Sequence, residues 1–289
     1  MLEKKATGKA RRGSKTKTRV RVFEGGRMRV RPDVLATEEP MEIRLVTGDR
    51  RQTVAVTMRT PGADFELAAG FLYGEGIISS ADDILKISYC VDSDVDVDQQ
   101  YNIVNVELRA GREYDLRSLE RHFYTSSACG VCGKESLDQL EIKGCPVIPP
   151  GPQIPAEIIT SLPEKLRESQ GLFDATGGLH AAALFDVEGN LLALREDVGR
   201  HNATDKLIGW ALMQNRLPLS ENIVMVSGRS SFEILQKCLT AGVPIICAIS
   251  APSSLAVDVA RRFGITLIGF LRDNRFNVYA AAERVPPEA

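Results

Sequence analysis

Polar and apolar residues alternate with period two in Arg19-Val-Arg-Val-Phe23, Glu42-Ile-Arg-Leu-Val46 and Thr53-Val-Ala-Val-Thr57, which predicts half-buried strands in all three. Pro61-Gly62 stops the third. The spacing then turns helical: Asp64 stands as a candidate N-cap, and Phe65, Leu67, Ala68, Phe71 and Leu72 recur at helical intervals until Gly74 and Gly76 break the pattern. A further strand over Tyr101–Leu108 follows the acidic turn from Asp92 to Asp98. The first part of the chain therefore predicts a small α+β lobe.

Five prolines fall within the ten residues from Pro146 to Pro155, too many for a helix or a central strand. Beyond them, His180–Asp186, a turn at Glu188–Asn190 and Leu191–Leu194 predict a hairpin, and a helix follows from about Thr204 to Met213. Short apolar strands then alternate with helices: Ile223–Val226, helix Phe232–Thr240, Val243–Ile249, helix Leu255–Phe263, Ile265–Phe270. Such βαβαβ alternation predicts parallel strands, and with the hairpin a mixed sheet covered on both faces. The expected division is a basic tail (1–18), an α+β lobe (19–145), a Pro-rich linker (146–155) and a three-layer α/β domain (156–289).

Composition narrows the setting. Six cysteines in 289 residues form no dense framework, and no signal-peptide pattern is found, so a reducing compartment, the cytoplasm, is expected. No apolar run approaches the roughly 18 to 20 residues that cross a bilayer, so no membrane partner is expected. The net charge of -2 conceals an asymmetry: residues 1–31 hold 12 of the 36 Lys and Arg against Glu3 and Glu24 alone. Met1–Thr18 has almost no large apolar residue, which favours a solvated tail over a nucleic-acid arm.

Chemistry is sought first in the strand-to-helix turns, where open α/β sheets bind ligands. Ser227-Gly228-Arg229-Ser230-Ser231 and Ser250–Ser254 both offer hydroxyls and helix N-terminal N–H groups suited to a phosphate, although serine is also a common N-cap. Phe270-Leu271-Arg272-Asp273-Asn274-Arg275 follows a strand end and offers groups for a purine edge and a phosphate, or a solvated polar loop. His180, after Thr176-Gly-Gly178, and His201, in Asp197-Val-Gly-Arg-His-Asn202, read as structural histidines or as site groups.

The thiols of Cys129-Gly-Val-Cys-Gly133 admit several roles. A zinc site can recruit His122, Cys129, Cys132 and Cys145, but it lacks a second close pair. Zinc-deaminase chemistry lacks its glutamate, since Ala-Ala follows His180, and Ala128 replaces the proline before the first thiol. Gly130 and Gly133 make a disulfide pair less apt than a sulfur carrier. Cys90, Cys238 and Cys247 lie in apolar contexts and read as core residues; no bound metal is expected.

With these motifs the chain resembles the FdhD family, accessory sulfurtransferases needed for formate dehydrogenase activity. The carrying blocks are Thr125–Gly133, Thr176–His180, Asp197–Lys206, Ser227–Ser231 and Gly269–Tyr279. The resemblance implies an enzyme that accepts sulfur from a cysteine desulfurase as a persulfide. It then passes that sulfur to a bis(molybdopterin guanine dinucleotide) molybdenum cofactor destined for formate dehydrogenase. It implies Cys129 as persulfide carrier, Cys132 as an assisting or relaying thiol, and Phe270–Arg275 in cofactor binding, where GDP or a related guanine nucleotide can sit. It also implies a cytidine-deaminase-like fold without the zinc chemistry, and a homodimer. The alternative is a zinc-stabilised, non-catalytic chaperone of the same cofactor.

Overall fold

The computed structural model describes residues 13–48, 50–92, 95–110, 140 and 145–286. Strands β1 (Lys15–Glu24) and β2 (Arg27–Ala36) form a two-stranded antiparallel ribbon closed at Gly25-Gly26, both at positive φ. That turn geometry matches the twist of a hairpin and suits glycine. Residues 15–18, expected in the tail, therefore belong to a strand. Pro32 is accommodated because a two-stranded ribbon has an outer edge on every strand.

A four-stranded sheet follows in the order β4-β3-β6-β5, from β3 (Glu39–Thr47), β4 (Arg50–Arg59), β5 (Ile84–Tyr89) and β6 (Ile103–Leu108), with β3 and β6 parallel. Helix α1 (Asp64–Gly74) covers it, burying Leu67, Ala68 and Leu72 against Met41, Ile43, Val104 and Val106; the four-residue α2 (Val97–Gln100) precedes β6. Asp64 is not the N-cap. Ala63 holds that position at φ 54, while the buried Asp64 carboxylate accepts hydrogen bonds from Arg59 Nε (3.1 Å), Gly62 N (3.0 Å) and Tyr89 Oη (3.0 Å). A buried guanidinium claims the carboxylate more strongly than one backbone N–H does.

Helices α3 (Ala156–Ser169) and α4 (Gly171–Thr176) lead into a six-stranded sheet in the order β12-β11-β10-β9-β7-β8. Its members are β7 (His180–Phe185), β8 (Leu191–Asp197), β9 (Ile223–Val226), β10 (Ile245–Ala248), β11 (Thr266–Arg272) and β12 (Arg275–Ala280). β9, β10 and β11 are parallel, the β7–β8 hairpin and β12 antiparallel, so the fold is α/β with mixed sheets. Alternation along β9 sends Val224 and Val226 to the face under α5 (Arg200–Met213), α6 (Phe232–Thr240) and α7 (Ser254–Phe263). Ile223 and Met225 point to the other face, under Ile159, Leu162 and Leu166 of α3. Both faces are dry, as parallel strands require.

The Pro-rich stretch is no loose linker. Ile148 N donates to Phe263 O (2.8 Å), Ile154 N to Arg284 O (2.8 Å) and Arg284 Nη2 to Pro149 O (2.7 Å), so the extended backbone finds partners on the α/β unit. The two sheets are joined as firmly. α1 crosses α5 where a Cβ on Gly70 would stand 1.9 Å from Asp205 O, and one on Gly209 1.8 Å from Glu66 O: the helices meet backbone to backbone. Beside the crossing, Lys206 Nζ lies 2.6 Å from Asp197 Oδ2 and donates to Thr60 O (2.8 Å), and Asn202 Nδ2 donates to Met58 O (2.7 Å).

Candidate functional site

Topology delivers five segments to one end of the large sheet. β8, β9, β10 and β11 finish there, and β7, running antiparallel to β9, starts there. The segments are His180, Asp197–Asn202, Ser227–Ser231, Ser250–Ser254 and the β11–β12 hairpin. The turns are tied to one another: Ser230 bridges Pro252, Ser253 N donates to Ser230 O (2.9 Å) and Phe270 N to Ser250 O (3.2 Å). Three helices, α5, α6 and α7, begin at this end, so their N-terminal N–H groups add positive potential.

The serines divide by task. Ser253 is an ordinary cap whose Oγ accepts from Ala256 N (3.2 Å). Ser231 holds the N-cap position of α6 but makes no capping bond; its Oγ lies 3.3 Å from His201 Nε2. Ser227 Oγ accepts from Ala181 N (2.9 Å) and fixes the turn to β7. Ser230 is 0% exposed, and its Oγ has no hydrogen-bond partner among the described residues. A buried hydroxyl left so is costly, and this one lies in the turn that pairs with Pro252 and Ser253. Arg229 is exposed, and Gly228 lies under His180, whose Nδ1 would be 3.2 Å from a Cβ there.

His180 is half-buried, and desolvation, helped by the nearby charges of Arg200 and His201, holds its pKa below the ordinary value. His201 Nε2 is 2.7 Å from Glu233 Oε2, and this hydrogen bond holds the Glu233 carboxyl below the usual carboxylate range. Arg200 Nε is buried without a hydrogen-bond partner among the described residues. The Asp197–Asn202 loop thus splits: Asp197 and Asn202 lock the two sheets together, while Arg200 and His201 line the strand-end site. Glu233 went unnoticed in the sequence because its partner His201 belongs to another helix.

The Phe270–Arg275 segment is the tip of a hairpin and not an open loop. β11 runs on to Arg272, Asp273 and Asn274 turn at φ 53 and 54, and Arg275 opens β12 opposite Arg272. Arg272, Asp273, Asn274 and Arg275 are exposed, but Leu271 is 0% exposed and packs in the core with Ile268 and Ile154. Any part for Leu271 in ligand binding is confined to its backbone.

Cys129, Cys132 and His122 lie outside the described residues. Cys90, Cys238 and Cys247 are buried; burial pushes the Cys238 thiol up to about 12 and Cys247 higher still, so neither is a nucleophile near neutral pH. Cys145 is half-buried against the core, its Sγ 4.0 Å from Thr240 Oγ1.

The model of the FdhD/NarQ family matches residues 36–286, which include every segment of this site. The chain belongs to the FdhD/NarQ family. Among relatives in that family, the sulfur carrier protein FdhD of Streptomyces avermitilis is 50% identical over 268 residues, covering 92% of this chain and 93% of its own. The protein of the same description from Sulfurisphaera tokodaii is 49% identical over 256 residues, covering 89% and 93%. A crystal structure of a protein assigned as a formate dehydrogenase accessory protein, from Desulfotalea psychrophila, aligns with TM-score 0.71 at 28% identity, covering 94% of this chain and 99% of that one.

Proposed function

We propose that this protein is a cytoplasmic sulfurtransferase that loads sulfur from a cysteine desulfurase onto Cys129 and passes it to a bis(molybdopterin guanine dinucleotide) molybdenum cofactor for formate dehydrogenase. The observation that carries the reading is the convergence of three polar turns at one sheet end in a chain of the FdhD/NarQ family. The cofactor is the substrate, and its guanine and pyrophosphate groups suit these turns. Ser230 Oγ, Arg229 and the helix N-termini suit phosphate oxygens. Arg272, Asp273, Asn274 and Arg275 suit a purine edge, with Phe270 and the backbone of Leu271 beside them. The hairpin β7–β8 followed by β9-α6-β10-α7-β11 fits a cytidine-deaminase-like arrangement, and Ala181-Ala182 after His180 fits the loss of deaminase chemistry.

Loading is an exchange without net redox change. The Cys129 thiolate attacks the outer sulfur of the donor persulfide, a new S–S bond forms as the donor's breaks, and the donor cysteine leaves as thiolate. Delivery as sulfide takes two electrons, which an external thiol supplies: its thiolate attacks the inner sulfur of the Cys129 persulfide, sulfide leaves, and a second thiol reduces the resulting mixed disulfide, with Cys132 assisting or relaying. Incubation with a cysteine desulfurase and L-cysteine is expected to add the mass of one sulfur to the Cys129 peptide. Cys129→Ala is expected to fold normally, take no label there and abolish formate dehydrogenase maturation in cells. Full dehydrogenase activity with Cys129→Ala would overturn Cys129 as carrier.

A further inference from the structure

Antiparallel pairing places partnered residues on the same face of a ribbon. In β1–β2 one face therefore carries Lys15, Lys17, Arg19, Arg21 and Phe23 from β1 beside Ala36, Val34, Pro32, Val30 and Met28 from β2. A basic row runs along an apolar row for ten residues, about 33 Å. Among the described residues the far half of the apolar row is uncovered: Phe23 is 70%, Met28 61% and Val30 58% exposed. The body meets the ribbon at its base, through Thr37 N to Ser14 O (3.0 Å) and Thr16 Oγ1 to Thr37 Oγ1 (2.8 Å), and at α4. Two strands alone are marginal in water, so such a face calls for a cover.

We propose that this ribbon is an arm that docks on the acidic body of a second copy of this chain. Charge selects the occupant. Lys15–Ala36 holds seven basic and two acidic residues, whereas residues 37–289 hold 24 basic and 35 acidic. Phe23, Met28 and Val30, at the far end of the ribbon, are left uncovered by the described body, which packs on the ribbon at its base and at α4, and only Thr37 and Glu38 separate β2 from β3. A polyanion such as nucleic acid would leave the apolar row wet and would be repelled by the acidic body. Reciprocal exchange about a two-fold axis covers both arms at once.

Sedimentation velocity on the full chain is expected to show a dimer that weakens with added salt. Arg19→Glu with Arg21→Glu, and separately Phe23→Ser with Val30→Ser, are expected to raise the dimer dissociation constant about tenfold or more with an unchanged far-UV circular dichroism spectrum. A second measurement needs no variant: unlabelled and heavy-nitrogen protein are mixed and cross-linked with a zero-length carbodiimide. Lys15 or Lys17 is then expected in mixed-isotope links to acidic residues of the 37–289 body. A monomeric wild type, variants that dimerise as tightly as wild type, or links confined to one isotope would each overturn the proposal. So would a wild type that stays monomeric while its ribbon binds a different acidic protein. Sulfur loading on Cys129 is read on monomer and dimer alike, so the two proposals fail separately.

Discussion

At the residue scale, His180 shows how one side chain reports the state of the strand-end site. Desolvation over Gly228 is the largest influence on it, the charges of Arg200 and His201 act the same way, and Asp197 opposes them weakly. The folded protein therefore prefers the neutral ring, and its pKa falls below 6.5. A depressed folded pKa gives stability that is present above the unfolded value and lost as pH falls below it. Melting temperature is accordingly expected to drop on acidification below about pH 6.5 less steeply in His180→Asn than in wild type. Identical pH profiles would show that His180 titrates as it does unfolded. A neutral ring beside Arg200 also leaves that guanidinium as the cation offered to an anionic ligand.

At the scale of the elements, the parts easiest to read were those whose periodicity no other force disturbs. Strand Ile223–Val226 and helix Phe232–Thr240 occur as the alternation predicts, and α7 begins one residue early. α3 was hidden by Pro163 within it and by a stripe reduced to Ile159, Leu162 and Leu166. The β11–β12 hairpin was hidden because Asp273-Asn274 is a weaker turn signal than Asn-Gly, so its polar tip looked like a loop. At the site, the serine turns were visible as residues. The ties among them, and the His201–Glu233 contact between α5 and α6, are products of packing between elements far apart in sequence.

The α1–α5 crossing offers a test at the same scale. An interior glycine costs a helix up to ~1 kcal/mol against alanine, so Gly209→Ala would stabilise an exposed helix. Here the added methyl meets Glu66 O at 1.8 Å, and the expected loss is about 3 kcal/mol or more by urea unfolding. Gly171→Ala, with nothing within 4 Å of the new Cβ, is expected to cost little.

For the whole molecule, the crossing and the Asp197–Lys206–Thr60 ties make two sheets into one unfolding unit. Trp210, the sole tryptophan, stands at the seam with Arg195 and Arg216 at 5.8 and 5.3 Å from its ring centre. Its fluorescence and the far-UV circular dichroism are therefore expected to change together in urea, and two separated midpoints would show that the sheets melt independently. The seam also restricts how the sequence can drift. A crowded side chain can be relieved by shrinking its neighbour, but at Gly70 and Gly209 the neighbour is main chain, which every residue shares. No second substitution opens that space, so the two glycines stand outside the compensating exchanges by which most of a protein's interior changes over time.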